Sequence, residues 1–153
     1  MATIKTRQIL NVLLLPGMIM ILIPCLILMV QPGSVNHTFF YLGFLLYMLA
    51  VGCIAHCVYL FFRTGQDIAP WTPPKKLLTT GPYKFCRHPI FLAMITGIVG
   101  LYLMFNAVLL EIYLIILSIA LLYRASKEEK KLEKMFPRQW EMYISTTPRW
   151  LIF

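Results

Sequence analysis

Residues 81–124 read GPYKFCRHPIFLAMITGIVGLYLMFNAVLLEIYLIILSIALLYR, a polar turn followed by two apolar segments. Pro89 is predicted to begin a helix, because proline fits the first helical turn and cannot continue a helix that precedes it. Asn106 is the predicted turn between apolar segments at residues 90–105 and 107–123. The two segments are therefore predicted to form a tight helical hairpin, with a polar loop over residues 81–89 at its entrance.

The composition of the chain indicates a membrane protein. Of its 153 residues, 59% are hydrophobic, whereas a soluble domain has about 45–50% apolar residues. The mean hydropathy is +0.75. Two further apolar segments, residues 9–30 and 39–62, precede the hairpin, and a transmembrane helix needs about 20 such residues. We predict an all-α integral membrane protein of a single domain, residues 1–153, with four transmembrane helices.

The first apolar segment, residues 9–30, is interpreted as a retained membrane helix. It follows Lys5 and Arg7, as a signal peptide would, but the run is long and no small-residue cleavage site follows it. Pro16 and Pro24 lie inside the segment, so a kink is expected there.

The distribution of positive charge predicts the topology. The net charge is +8. Four membrane helices with both termini on one side would place every Lys and Arg on that side, since the cations lie near the N-terminus, in residues 63–88 and from residue 124 onward. The positive-inside rule makes this side cytoplasmic, together with a predicted helix over residues 125–136. No nucleic-acid motif accompanies the cations, which indicates membrane lipids and not nucleic acid as their partners.

Two polar clusters flank the predicted hairpin on this cytoplasmic side. Tyr83, Arg87 and His88 precede it, and Glu128 and Glu129 follow it. Because a hairpin returns on itself, the two clusters are expected to lie close together. Arginine binds a carboxylate through two parallel hydrogen bonds, and glutamate accepts from ammonium or hydroxyl groups. The two clusters together could therefore bind a zwitterionic small molecule. Alternatively, these charged residues at the helix ends only determine the membrane topology.

Other polar residues are alternative candidates for a site. Cys53, His56 and Cys57 share one helix face, but three ligands leave a tetrahedral site incomplete, so no metal is predicted and helix packing is the alternative. Glu111 is a carboxylate within a predicted span, near its outer end, where it either has a function or reaches the interface. Arg149 and Trp150 remain unassigned, with anchoring at the membrane interface as one interpretation.

A little over half of the chain resembles the isoprenylcysteine carboxyl methyltransferase family, which is similar to the phospholipid N-methyltransferases. The resemblance rests on APWTPPKKLLTTGPYKFCRHP at residues 69–89, the apolar hairpin, Glu128 and Glu129, and the closing Pro-Arg-Trp at residues 148–150. Members of this family are integral membrane enzymes that use S-adenosylmethionine. The resemblance therefore implies a methyltransferase with this cofactor at the cytoplasmic face.

The family also implies roles for single residues. Arg87 and Glu129 are expected to carry the catalysis. The residues expected to bind the cofactor are Tyr83, Arg87, His88, Glu128 and Glu129, with Pro89 shaping the start of the helix. A lipophilic or prenylated acceptor would approach through the bilayer, between the helices.

Two positions depart from the family pattern. Phe91 stands where many members have tyrosine, and Pro137 stands where many have glycine. Pro137 is expected to end the preceding charged helix near Met135 or Phe136, because the residue before a proline is disfavoured in a helix. Both departures bear on which acceptor is used.

Methyl transfer to a carboxylate, such as that of an isoprenylcysteine, is the preferred interpretation, because a carboxylate is already ionised and needs no general base. A phospholipid amine, a thiol or another lipid acid remain open as acceptors. The alternative functions are an NADPH-dependent membrane reductase of the sterol-reductase type and a small membrane subunit without enzymatic activity. The oligomeric state is not predicted.

Overall fold

The structure, a computed structural model, describes residues 16–65 and 76–151. Its helices are α1 Met18–Val30, α2 Phe40–Arg63, α3 Pro89–Phe105, α4 Val108–Met135 and α5 Pro137–Thr146, with a short 3₁₀ turn at Gly81–Lys84. The predicted all-α class is confirmed.

Two of these helices are suited to a membrane. α2 and α4 are long and apolar enough to cross it by length and composition, whereas α1 and α3 are shorter apolar helices over the described residues. Large apolar side chains, among them Leu45, Ile116 and Ile119, face outward, and an extensive apolar surface suits lipid better than water. Four membrane crossings and two cytoplasmic termini remain predictions.

α1 is interrupted close to the predicted position. Residues Met18–Leu22 form a π-helical turn, and residues Ile23–Val30 continue as an α-helix. Two tyrosines from other helices donate hydrogen bonds to carbonyl oxygens of the π turn: Tyr113 to Ile19 at 3.0 Å and Tyr47 to Met20 at 3.2 Å. Side chains of α2 and α4 thereby satisfy backbone carbonyl groups of the irregular turn.

α2 and α3 approach each other at two glycines. A Cβ atom built on Gly43 would lie 2.5 Å from the carbonyl oxygen of Gly100, and one built on Gly100 would lie 2.6 Å from that of Gly43. Only glycine permits such close backbone contact without a shift of the helices. This contact fixes α3 against α2, and with it the position of His88 at the start of α3.

The hairpin of α3 and α4 turns at the predicted residue. Asn106 ends α3 in the left-handed conformation, with φ 43°, which asparagine tolerates better than most residues. The side chain of Gln31 accepts a hydrogen bond from the backbone N–H of Leu109 at 2.9 Å, and the backbone N–H of Asn36 donates to the carbonyl of Met104 at 2.9 Å. The loop between α1 and α2 therefore closes this end of the hairpin.

The charged segment after the hairpin differs from the prediction. α4 runs without a break from Val108 to Met135, so the helix predicted over residues 125–136 is the charged continuation of the last apolar helix. Residues 124–134 are mostly good helix formers, which explains the continuity. The helix ends at Met135, as expected from Pro137, and Pro137 then begins α5, which was not predicted.

Some predictions concern residues outside the described ranges. These are the flanking cations Lys5 and Arg7, the first part of the segment over residues 9–30, and residues 69–75 of the stretch that carries the family resemblance.

Candidate functional site

The entrance loop begins with a turn that favours glycine. Gly81 has φ +65°, and a Cβ atom built on it would lie 2.6 Å from the Leu60 side chain and 3.4 Å from Nε2 of His56, both on α2. After Gly81, the backbone N–H groups of Phe85 and Cys86 donate to the carbonyl of Pro82 at 3.1 and 3.3 Å. The predicted Gly-Pro-Tyr turn therefore packs against α2 and directs the chain into α3.

The C-terminal segment folds back onto this loop. The hydroxyl of Tyr143 on α5 donates to the carbonyl of Tyr83 at 2.7 Å, and the backbone N–H of Arg87 donates to the carbonyl of Pro148 at 3.1 Å. Trp140 and Tyr143 are buried and meet edge to face. α5 and the residues after it thus hold the loop in place.

Glu129 is the centre of the site. Its Oε1 atom lies 3.1 Å from Nη1 of Arg87, 3.1 Å from Nε2 of His88 and 3.3 Å from Nε of Arg149. The side chains of Arg87 and Glu129 are each only 17% exposed. Three nitrogen groups from the loop and the C-terminal segment therefore converge on one carboxylate oxygen of α4, and charge-assisted contacts of this kind are among the strongest that side chains make.

His88 is enclosed between aromatic rings. It is 6% exposed, its ring stacks parallel to that of Phe91 with centroids 5.4 Å apart, and the ring of Trp150 lies 5.7 Å away. Burial lowers the pKa of His88, as do Arg149 and Arg87, while the hydrogen bond to Glu129 opposes this change. We therefore assign the neutral ring, with Nε2–H donating to Glu129 and Nδ1 left as an acceptor.

Glu128 and Tyr83 lie beside this centre. Glu128 accepts from Nε of Arg124 at 3.2 Å, one helical turn earlier on α4, and lies 4.0 Å from Nδ1 of His88. The ring of Tyr83 meets Phe61 of α2 edge to face, with centroids 6.0 Å apart. Burial raises the pKa of Tyr83 well above its ordinary value, so its hydroxyl stays protonated. Tyr83 thus lies against α2, outside the ion-pair cluster.

The cluster retains two buried N–H groups that can bind a ligand. Nε of Arg87 and Nε of Arg149 have no hydrogen-bond partner among the described residues. Arg149 Nε is within ion-pair distance of Glu129, but it is not aligned for a hydrogen bond. A buried donor without a partner costs about 1–3 kcal/mol. An anionic group that accepted these hydrogen bonds would remove this cost.

Arg87, His88, Glu128 and Glu129 are brought together from the two predicted clusters. Pro89 is buried and is the first residue of α3, as expected. The sequence assigns no role to Arg149 or Trp150, and the structure places Trp150 beside His88 and Arg149 beside Glu129.

Two other candidates are Glu111 and the group of Cys53, His56 and Cys57. Glu111 is in the first turn of α4, at the end opposite the cluster. In the part of the chain that the structure describes, no three His, Cys, Asp or Glu side chains are grouped so as to hold a metal ion, and Cys57 is buried.

Comparison with known proteins adds to this geometry. Residues 67–134 match the isoprenylcysteine carboxyl methyltransferase (ICMT) family. The predicted resemblance is confirmed, and the match covers the entrance loop, the hairpin and both glutamates. We call residues 67–134 the ICMT region. The matched family is a family of methyltransferases.

Two curated relatives share part of the chain. The nickel-cobalt-cadmium resistance protein NccN of Alcaligenes xylosoxydans xylosoxydans is 40% identical over 75 residues, which are 48% of this chain and 34% of the relative. The cobalt-zinc-cadmium resistance protein CzcN of Cupriavidus metallidurans is 36% identical over 74 residues, which are 47% and 33% of the two chains. The match thus spans about a third of each relative's length. No solved structure matches the chain.

Proposed function

We propose that this protein transfers a methyl group from S-adenosylmethionine to a lipophilic acceptor at the cytoplasmic face of a membrane. The acceptor we propose is a carboxylate, such as that of an isoprenylcysteine. The observation that carries the proposal is the convergence of Arg87, His88 and Arg149 on Glu129, with two buried N–H groups left over. The loop and helix that supply Arg87, His88 and Glu129 belong to the ICMT region.

The residues of the cluster fit the proposed cofactor. S-adenosylmethionine carries a carboxylate, an ammonium group, ribose hydroxyls and a sulfonium. The free Nε–H of Arg87 can donate to the carboxylate, and Glu128 and Glu129 can accept from the ammonium group or the ribose. Trp150 offers an aromatic face, which attracts cations, whereas the ring of Trp140 lies against the guanidinium of Arg87. When bound, the cofactor supplies an electrophilic methyl group.

The protein has to align the cofactor with the acceptor and to exclude water from the site. Arg87 and Glu129 would hold the cofactor at two points, which fixes its direction relative to the acceptor. Phe91 and Trp150 cover the ring of His88 and keep water away from it. Because the transfer releases a neutral thioether, no side chain has to protonate a leaving group.

The state of His88 bears on the acceptor. A carboxylate acceptor is already ionised, so it needs no base. An amine acceptor would have to lose a proton, and the free Nδ1 atom of His88, whose pKa is lowered by burial, could accept it. If the acceptor is a carboxylate, the rate of methyl transfer should depend little on the protonation of His88. Protonation of His88 would then act only through the stability of the fold.

The match of residues 67–134 to the ICMT family supports a methyltransferase over a reductase of the sterol-reductase type and over a membrane subunit without activity. The two curated relatives are named for metal resistance. A contribution to metal tolerance is therefore a second proposal for this chain, exerted through methylation of a membrane component.

The proposal is tested with membranes that contain the full chain. They are incubated with S-adenosylmethionine whose methyl group carries deuterium, and extracted lipids and proteins are examined by mass spectrometry for methyl groups of increased mass. We expect label in a lipophilic product that base hydrolysis releases as methanol, as a methyl ester requires.

Glu129→Gln should abolish this labelling. Glu133→Gln is the matched control, because Glu133 lies one turn further along α4 and is exposed, and it should label like the parent. Labelling that is equal in the parent and in Glu129→Gln would overturn the proposed role of the cluster. Base-stable label on nitrogen would overturn the carboxylate acceptor.

A further inference from the structure

Arg149 is the more exposed of the two arginines at Glu129, and it also contacts α4 nearer to the apolar part of that helix. Its Nη2 atom donates to Oγ of Ser126 at 2.6 Å. Ser126 precedes Glu129 by three residues on α4, which places it about 4.5 Å nearer the apolar part of that helix. The side chain of Arg149 is 30% exposed, against 17% for Arg87. A molecule that arrives along the Ser126 face of α4 would therefore meet Arg149 before Glu129.

An apolar stripe on α4 leads to this arginine. Ile115, Ile119 and Leu122 precede Ser126 at intervals of four, three and four residues, so all four lie on one face of the helix. The three apolar side chains are exposed. The face thus joins a lipid-facing hydrophobic strip to a guanidinium at its cytoplasmic end.

The two arginines have separate capacity for ligands. Each retains a buried Nε–H without a hydrogen-bond partner among the described residues. One carboxylate is satisfied by one guanidinium in the parallel two-bond arrangement. If Arg87 binds the carboxylate of the cofactor, Arg149 remains for a second anion.

We propose that Arg149 recognises the carboxylate of the acceptor, whose apolar chain lies along Ile115, Ile119 and Leu122. The proposal rests on the proposed methyltransferase function and assigns the specificity of the same site. Arg87 then serves the cofactor, and Arg149 selects lipophilic acids over lipophilic amides, alcohols and amines. The planar guanidinium also holds the acid in a fixed direction.

Binding measurements test this assignment without relying on turnover. The full chain in detergent is saturated with S-adenosylhomocysteine and titrated with N-acetyl-S-farnesylcysteine and with its carboxamide, which has the same tail without the charge. We expect the parent to bind the acid about 10- to 100-fold more tightly than the amide, as for a charge-assisted hydrogen bond. Arg149→Gln should reduce this preference to about threefold or less, while the affinity for S-adenosylhomocysteine changes by less than about threefold.

Three further variants sharpen the test. Arg149→Lys keeps the charge but loses the two-bond geometry, so it should retain only part of the preference. Arg138→Gln removes an exposed arginine of α5 and should behave like the parent. Ser126→Ala frees Nη2 of Arg149 and should weaken acid binding several-fold, which keeps the proposal testable if Arg149→Gln does not fold.

The outcomes separate this inference from the proposed function. An undiminished preference for the acid in Arg149→Gln, or loss of S-adenosylhomocysteine binding in that variant, would overturn the assignment of Arg149. A parent that binds S-adenosylhomocysteine but does not distinguish acid from amide would overturn only this inference. A folded parent that does not bind S-adenosylhomocysteine would contradict the proposed function itself.

Discussion

At the scale of single residues, Glu129 holds the site together, because two arginines and a histidine meet at one of its oxygens. Replacing it with glutamine keeps the size but removes the charge that compensates Arg87 and Arg149. Loss of one partner of a fully buried ion pair costs about 3–5 kcal/mol, and the residual exposure of this cluster reduces that cost. We predict that Glu129→Gln lowers the free energy of unfolding by about 1–3 kcal/mol.

Thermal unfolding in detergent checks this prediction, with Glu133→Gln as the control. Glu133 is exposed, and surface substitutions usually change stability by less than about 0.5 kcal/mol. Equal unfolding temperatures for the two variants would show that Glu129 does not organise the cluster.

His88 gives the protein a predictable response to acid. Its pKa in the folded protein is lowered from the ordinary value of 6.5, chiefly by burial. As the pH falls below 6.5, the unfolded chain takes up a proton before the folded protein does, so stability is full above this pH and declines below it. We predict that the parent loses more thermal stability between pH 7.5 and pH 5.5 than His88→Gln, which cannot titrate. Parallel pH profiles of the two proteins would contradict the neutral assignment of His88.

Four site residues could be predicted from the sequence because their position follows from the order of the chain. Arg87 and His88 precede a hairpin, Glu128 and Glu129 follow it, and the two ends of a hairpin lie together. Arg149 could not be predicted in this way, because its place depends on α5 turning the chain back onto the loop. The spacing of Trp140, Tyr143 and Thr147, at intervals of three and four residues, was the available signal for a buried face of α5.

At the scale of the helices, the contact of Gly43 with Gly100 sets the distance between α2 and α3. A methyl group on Gly43 would press against backbone, which cannot move aside as a flexible side chain can. We predict that Gly43→Ala destabilises the protein by about 1–3 kcal/mol and weakens cofactor binding, since α3 carries His88 and Pro89.

Gly52→Ala is the matched control on the same helix. A Cβ atom on Gly52 would meet no atom within 4 Å, and alanine favours a helix over glycine by up to about 1 kcal/mol. This variant should be as stable as the parent or more so. A Gly43→Ala protein with unchanged thermal stability and cofactor affinity would show that the two helices can separate without harm.

The helices themselves were predictable to differing degrees. The hairpin turn was predictable because Asn106 tolerates the left-handed conformation. The helix end at Met135 was predictable because Pro137 follows it. The continuation of α4 through its charged part was not predicted, because the end of an apolar segment marks the membrane boundary and not the end of the helix.

At the scale of the whole molecule, chemical labelling of lysines shows how the chain is oriented in the membrane. The predicted topology places Lys84 and Lys130 in the cytoplasm and the loop over residues 31–38 on the opposite side. A membrane-impermeant amine reagent, followed by peptide mass spectrometry, should label both lysines only in inside-out vesicles. In a Ser34→Lys variant, the new lysine should be labelled only in right-side-out vesicles. Labelling of Lys130 and of the new lysine from the same side would contradict the four-helix topology.

Calorimetric titration of the purified chain with S-adenosylhomocysteine tests whether the cluster around Glu129 binds S-adenosylmethionine. We predict micromolar binding by the parent and by Glu133→Gln, and a loss of at least about tenfold in both Arg87→Ala and Glu129→Gln. A folded parent that gives no binding heat over a range of temperatures, or variants that bind as tightly as the parent, would contradict it.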